Sequence, residues 1–187
     1  MSKVLVLYGT RYGTTKGISD EIEKLIKEKG IATESYNLKE YPLKIIPPLK
    51  NYNGVLLGTG IMMGRWTKAF KNFVKKRKSE LNEIQDNIGF YVCCGTASEK
   101  SKINTAINEY ITLKLENFGL NPALVDAFGG AYDLTEGSAI TGITRKIVIG
   151  IMKEEYGMAD PEGKLHDFRD WEQIKDFVNK FSNLVKK

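Results

Sequence analysis

Near the start of the chain, Gly9, Thr10, Arg11, Tyr12, Gly13, Thr14 and Thr15 separate an apolar run from an amphipathic one. The apolar run, Val4 to Tyr8, reads as a buried strand, and the segment from Thr14 onward reads as a helix. A helix N-terminus has backbone N–H groups without intrahelical partners and the positive end of the helix dipole. A Gly/Thr-rich turn at that place is suited to hold an anion. The hydroxyls of Thr10, Thr14 and Thr15 add donors. The alternative is an ordinary strand-to-helix turn in which Thr14 or Thr15 caps the helix.

Two well-known phosphate loops do not fit. Gly9 and Gly13 are four residues apart, which is not the G-x-G-x-x-G spacing of dinucleotide sites. Gly13 is followed by Thr14 and Thr15 before Lys16, so the G-K-[ST] end of nucleoside-triphosphate loops is missing as well. A turn of amides and hydroxyls, with no lysine at the β/γ-phosphate position, suits a single terminal phosphate.

No other set of residues has the spacing of a catalytic acid–base or nucleophilic constellation. Cys93 and Cys94 are adjacent and cannot staple distant parts of the chain. They read either as a redox pair or as small apolar residues ending a buried strand. His166, the single histidine, lies in a polar stretch and reads as a surface residue.

The 187 residues, 42% of them hydrophobic, suffice for one domain with a substantial core, so residues 1–187 are expected to form a single unit. No leader pattern is seen at the N-terminus, and no apolar segment is long enough to span a bilayer. A cytoplasmic, reducing setting is expected. The net charge of +5 points toward acidic partners, nucleic acid or anionic lipid. Much of it lies in one acid-free stretch holding Arg65, Lys68, Lys71, Lys75, Lys76, Arg77 and Lys78, for which a solvated helix face is the plain alternative.

The elements that must position the turn alternate. Strands are expected at residues 3–8, 31–36, 52–58, 88–93 and 123–128. Helices are expected at 14–29, from Trp66 to about Leu81, from Ile103 to Leu115 with Gly119 closing, and at 170–185. Asp170 would cap the last helix, with Gln173 completing a box-like arrangement. Five strands joined by helices imply an α/β fold with a doubly wound parallel sheet. About forty residues, 129–169, separate strand five from the last helix, and a stretch that long should carry structure or function. Its centre, 141–156, is expected to be helical, with Ile143, Ile147 and Ile151 on one side.

The first turn resembles the [ST]-x-x-G-x-T loop of flavodoxin-like proteins, on Thr10, Arg11, Tyr12, Gly13, Thr14 and Thr15. That resemblance implies the flavodoxin-like strand order 2-1-3-4-5 and a flavin mononucleotide (FMN) cofactor, its phosphate held by these six residues. Ligands in such sheets sit beyond the strand ends near the point where strand order reverses. The flavin ring would then be framed by Thr59, Gly60, Ile61, Met62, Met63 and Gly64 after strand three. Cys93, Cys94, Gly95, Thr96 and Ala97 after strand four would complete the frame. The redox chemistry would belong to the flavin, with no protein residue as a catalytic group.

More specifically, the chain resembles the menaquinone-dependent protoporphyrinogen dehydrogenases within that superfamily. The resemblance rests on Thr10-Arg11 with Gly13 and Thr15, on residues 61–64 leading into Ala69-Phe70 and Phe73-Val74-Lys75-Lys76, on Gly130-Ala131, and on Asp170-Trp171-Glu172-Gln173. It implies an FMN-dependent oxidoreductase with a quinone-type acceptor and protoporphyrinogen IX as the candidate donor. Met63 stands where the branch has an aromatic residue and Met62 where it has a basic one. Residues 94–105 and 133–142 resemble the branch little. The expected partners are a redox protein or quinone, with peripheral membrane contact through the basic surface and self-association both left open. No nucleic-acid partner is expected. The competing reading is an electron carrier between proteins with no small substrate of its own, and a third is a binding module that has lost its flavin.

Overall fold

A computed structural model describes residues 2–186. Strand β1 (Lys3–Gly9) is an interior strand of the sheet, its side chains apolar on both faces. Leu5 and Leu7 enter one hydrophobic cluster, and Val4 and Val6 enter another on the opposite face. Strand β2 (Ala32–Asn37) pairs on one side of β1 and β3 (Gly54–Gly60) on the other. Strands β4 (Ile88–Cys93) and β5 (Leu124–Phe128) complete a five-stranded parallel sheet of order 2-1-3-4-5. This is the expected fold class and strand order.

Helix α1 (Thr14–Glu28) buries Ile18, Ile22 and Ile26 on one face of the sheet. On the opposite face, α2 (Lys68–Lys76) buries Phe70, Phe73 and Val74, and α3 (Lys78–Glu83) buries Leu81. The expected single helix from Trp66 to Leu81 is therefore two. Its break falls at Arg77, whose guanidinium donates to the Pro47 carbonyl at 2.9 Å and to the Ile46 carbonyl at 3.3 Å, and pairs with Glu80. Trp66 precedes α2 and donates its indole N–H to the Tyr110 carbonyl at 2.7 Å. The next helical stretch joins α4 (Ile103–Ile107) to α5 (Leu113–Glu116) through a wide π turn at Asn108–Thr112.

Between β5 and the last helix, α7 (Trp171–Val185), the chain forms β6 (Ala131–Asp133), α6 (Gly142–Glu154) and β7 (Leu165–Asp167). Strands β6 and β7 pair antiparallel, and Leu134, Ile140, Val148 and Met152 form a small core of their own. Of the expected isoleucine stripe on α6, Ile143 and Ile147 are 79% and 47% exposed and Ile151 packs partly buried against this small core, while Val148 and Met152 face inward. Arg145 helps fix this orientation, because its guanidinium donates to the Leu134 carbonyl at 2.6 Å, just after β6.

Asp170 caps α7 as expected, accepting the N–H groups of Glu172 and Gln173 at 3.1 Å each. The Gln173 amide does not return to the cap. It donates instead to Asp126 Oδ1 at 2.8 Å and the Ala127 carbonyl at 3.1 Å, tying α7 to β5. Replacing Asp170 by alanine is expected to cost about 1 kcal/mol, read by urea denaturation. The Lys100 ammonium and the capped N–H groups hold the Asp170 carboxyl below its usual range. A group depressed in the folded state stabilises above its unfolded pKa. This contribution is therefore present at neutral pH and lost as pH falls through the folded value, so the deficit of Asp170→Ala should shrink in acid.

Candidate flavin-binding site

The turn between β1 and α1 is built around two glycines. Gly9 lets α2 approach closely, since a Cβ there would fall 2.1 Å from Thr67 Oγ1. Gly13 sits at the α1 N-cap with φ 92°, a conformation glycine adopts readily. It offers no side chain to the helix. The first helical bond runs from the Gly17 N–H to the Gly13 carbonyl at 3.0 Å. The N–H groups of Thr14, Thr15 and Lys16 consequently have no protein acceptor among the described residues, and no acidic residue lies in that first turn.

The expected threonine hydroxyls divide into three roles. Thr10 Oγ1 accepts the Gly13 N–H at 3.0 Å, which leaves its own proton free to donate. Thr14 Oγ1 donates to the Ala131 carbonyl at 2.8 Å and so joins the turn to β6. Thr15 is buried beneath Gly60, where a Cβ would lie 3.0 Å from Thr15 Oγ1.

Arg11 and Tyr12 point elsewhere. The Arg11 guanidinium donates to the carbonyls of Gly60 at 2.8 Å, Arg65 at 3.0 Å and Trp66 at 2.8 Å. It is a brace between the first turn and the segment after β3. Partial burial lowers its pKa, yet a guanidinium keeps its charge at any ordinary pH. Tyr12 donates its hydroxyl to Thr144 Oγ1 on α6 at 3.3 Å.

Strand β3 runs two residues further than expected, so Thr59 and Gly60 belong to the strand end. Thr59 is fully buried, and its hydroxyl accepts the Thr67 N–H at 3.2 Å rather than facing outward. Ile61 donates its N–H to the Cys93 carbonyl at 2.8 Å, which aligns the second and third loops. Met62 and Arg65 then exchange two backbone hydrogen bonds, at 3.2 and 3.0 Å, around a two-residue turn. Its central residues, Met63 and Gly64, have φ of 48° and 68°, the signature of a type I′ turn. Met63 is the only non-glycine residue with positive φ among the described residues, and it is 80% exposed. An unfavourable backbone conformation at an exposed apolar tip is the kind of outlier that accompanies function.

The third loop contributes backbone rather than side chains. Cys93 and Cys94 are both buried, in clusters on opposite faces of the sheet, and Ala97 is buried beside Cys94. Thr96 Oγ1 meets the Tyr110 hydroxyl at 3.3 Å. Burial pushes the Cys93 thiol up to about 12 and the Cys94 thiol up to about 11. Both are therefore neutral thiols at pH 8. Neither is expected to react with a thiol reagent until the protein unfolds, and a fast-reacting folded protein would contradict this arrangement. The unfolded thiols ionise near 9.0. Stability is therefore expected to be complete below that value and to fall as pH rises through the folded values.

Two tyrosines absent from the sequence expectations reach this loop from the 129–169 segment. The Tyr156 hydroxyl donates to the Gly95 carbonyl at 3.3 Å, and a Cβ on Gly95 would lie 2.6 Å from the Tyr132 hydroxyl. Phe168 backs both rings, 4.5 Å from Tyr156 and 6.2 Å from Tyr132 between centroids. The only hint in the sequence was Gly130-Ala131 directly before Tyr132. His166 is not near a reacting position: its Nε2 meets the Pro161 carbonyl at 2.7 Å within the β6–β7 region.

A 2-1-3-4-5 sheet with an uncapped α1 N-terminus at its carboxyl edge, flanked by the loops after β3 and β4, defines a flavodoxin-like protein. The chain belongs to the flavodoxin domain family, which matches residues 5–162. It is 28% identical over 185 residues to protoporphyrinogen IX dehydrogenase [quinone] of Escherichia coli K12, covering 99% of this chain and 97% of that one. It is 30% identical over 183 residues to the protein of the same name from Leishmania major, covering 97% of this chain and 75% of that one. Among solved structures it is similar to oxidised flavodoxin 1 from Bacillus cereus, with a TM-score of 0.53 and 16% identity. That match covers 99% of this chain and 98% of the other. Among the described residues no helix is long and apolar enough to cross a membrane.

Proposed function

We propose that this protein is an FMN-dependent, quinone-linked oxidoreductase with protoporphyrinogen IX as its reduced substrate. The observation that carries the cofactor reading is the α1 N-terminus. Three consecutive N–H groups, those of Thr14, Thr15 and Lys16, lack acceptors among the described residues, beside the free Thr10 hydroxyl proton. These groups would hold the terminal phosphate, with the helix dipole favouring its charge. Gly60, Ile61, Met62, Met63 and Gly64 would edge the ring on one side. The backbone of Cys93, Cys94, Gly95, Thr96 and Ala97 would edge it on the other, with Tyr132 and Tyr156 behind Gly95. Bound there, FMN would supply the two-electron chemistry that links a hydride donor to a quinone.

The substrate and acceptor are supported by the names of the curated relatives, matched over nearly the full length of this chain. Exposed Ile143, Lys146 and Ile147 on α6 would serve peripheral contact with the membrane that dissolves a quinone. A second reading, electron transfer to an acidic protein partner, is favoured by the exposed lysines of α2.

Absorbance after reconstitution with FMN is the first test: a protein that cannot take up flavin overturns both readings. Anaerobic oxidation of protoporphyrinogen IX with menadione as acceptor is the second. Turnover supports the dehydrogenase, whereas a stable flavoprotein without turnover favours the carrier.

A further inference from the structure

The basic stretch of α2 does more than face solvent. Lys68, Lys71 and Lys75 recur at helical spacing and line one wall of an open cleft of about 800 Å³. Lys39, after β2, also lines it, and Leu38 and Ala69 add apolar lining. No carboxylate lines it. None of the four lysines is within ion-pair distance of a carboxylate among the described residues. Like charges gathered without counter-charges repel one another, and an anion that enters relieves the repulsion.

The cleft adjoins the α1 cradle through Gly9–Tyr12, which line it, but otherwise extends along α2, on the opposite face of the sheet from α1. Its concavity also matters. A flat lipid surface would meet only the rim, whereas the volume falls within the range of small-ligand sites. From Lys68 to Lys75 the helix advances about 10 Å, long enough for one molecule to engage two lysines at separate anionic groups.

We propose that this cleft binds a small organic polyanion, carrying two or more phosphate or carboxylate groups within about 10 Å on a body with apolar surface. Recognition comes from Lys39, Lys68, Lys71 and Lys75, and the apolar body rests on Leu38 and Ala69. Several lysines acting together give affinity that falls as salt rises.

The test is calorimetric titration of the FMN-loaded full chain with ATP, with naphthalene-2,6-dicarboxylate and with tripolyphosphate. One-to-one, saturable binding of ATP or the dicarboxylate is expected, tighter than that of tripolyphosphate, which has no apolar body. Whichever organic probe binds identifies the phosphate or the carboxylate as the preferred group. Lys71→Gln/Lys75→Gln should weaken it by about tenfold, and Lys78→Gln, outside the cleft, should not. Unchanged FMN absorbance and melting temperature would show both variants intact. The FMN-free protein should bind the same probe equally, so failure of the flavin reading leaves this test standing. Four results would overturn the proposal: no saturable binding of either organic probe, binding abolished by FMN, equal binding by the double variant, or tripolyphosphate binding as tightly as the organic probes.

Discussion

Replacing Arg11 by alanine is expected to lower stability by about 1–3 kcal/mol and to weaken FMN binding by more than tenfold. The guanidinium makes three hydrogen bonds to carbonyls 49 to 55 residues away, and all three belong to the segment that ends β3 and leads into α2. Those carbonyls belong to Gly60, Arg65 and Trp66, so they bracket the Met62–Arg65 turn on both sides. Without the brace the turn loses its fixed relation to the first loop, and a cofactor held by both loses its preorganised site. Lysine separates this role from a phosphate contact. A point charge would still attract phosphate, but one ammonium cannot reproduce the planar fork that reaches three carbonyls. Arg11→Lys should therefore resemble Arg11→Ala in urea denaturation and in fluorescence titration with FMN. Full recovery of FMN affinity by lysine, with no stability loss in alanine, would make Arg11 a phosphate ligand after all.

The same residue shows what could and could not be read from the chain. Val4 to Tyr8 and the helix after Gly13 were legible because their cause is local: apolar continuity, then amphipathic spacing, with glycine between. The loop at the α1 N-terminus followed from that alternation, and the strand order from the family resemblance alone. Arg11 was visible as a residue of the phosphate turn and of the family resemblance but not as a brace, since its partners lie far along the sequence. Arg77 hid the break between α2 and α3 for the same reason, its acceptors being the carbonyls of Ile46 and Pro47. On α6 the isoleucine spacing was sound as a pattern, but Arg145 and its bond to Leu134 help fix which side faces in. Tyr132 and Tyr156 reach Gly95 through the tertiary path of residues 129–169, which no local period encodes.

That path has a seam at Gly129, and alanine there is expected to cost about 1–3 kcal/mol. A Cβ on Gly129 would stand 2.0 Å from the Phe168 carbonyl oxygen and 3.4 Å from Ser98 Cα, so main chain on both sides would have to move. Next to the seam, the Phe168 N–H donates to the Gly130 carbonyl at 2.9 Å, closing the entry of the segment onto its exit. Shifting it would carry away Ala131, which accepts from Thr14, and the Phe168 ring that backs Tyr132 and Tyr156. The expected result is a folded protein that binds FMN several-fold less tightly, measured by fluorescence titration beside urea denaturation. Gly150→Ala supplies the contrast. It lies within α6 with nothing near its Cβ position, so it should be neutral or stabilise by up to about 1 kcal/mol. Both substitutions fall in the same segment, but only one disturbs where that segment meets the first and third loops. A Gly129→Ala protein that lost stability yet kept its FMN affinity would confine Thr14, Tyr132 and Tyr156 to a structural role, and the flavin site would then be complete without residues 129–169.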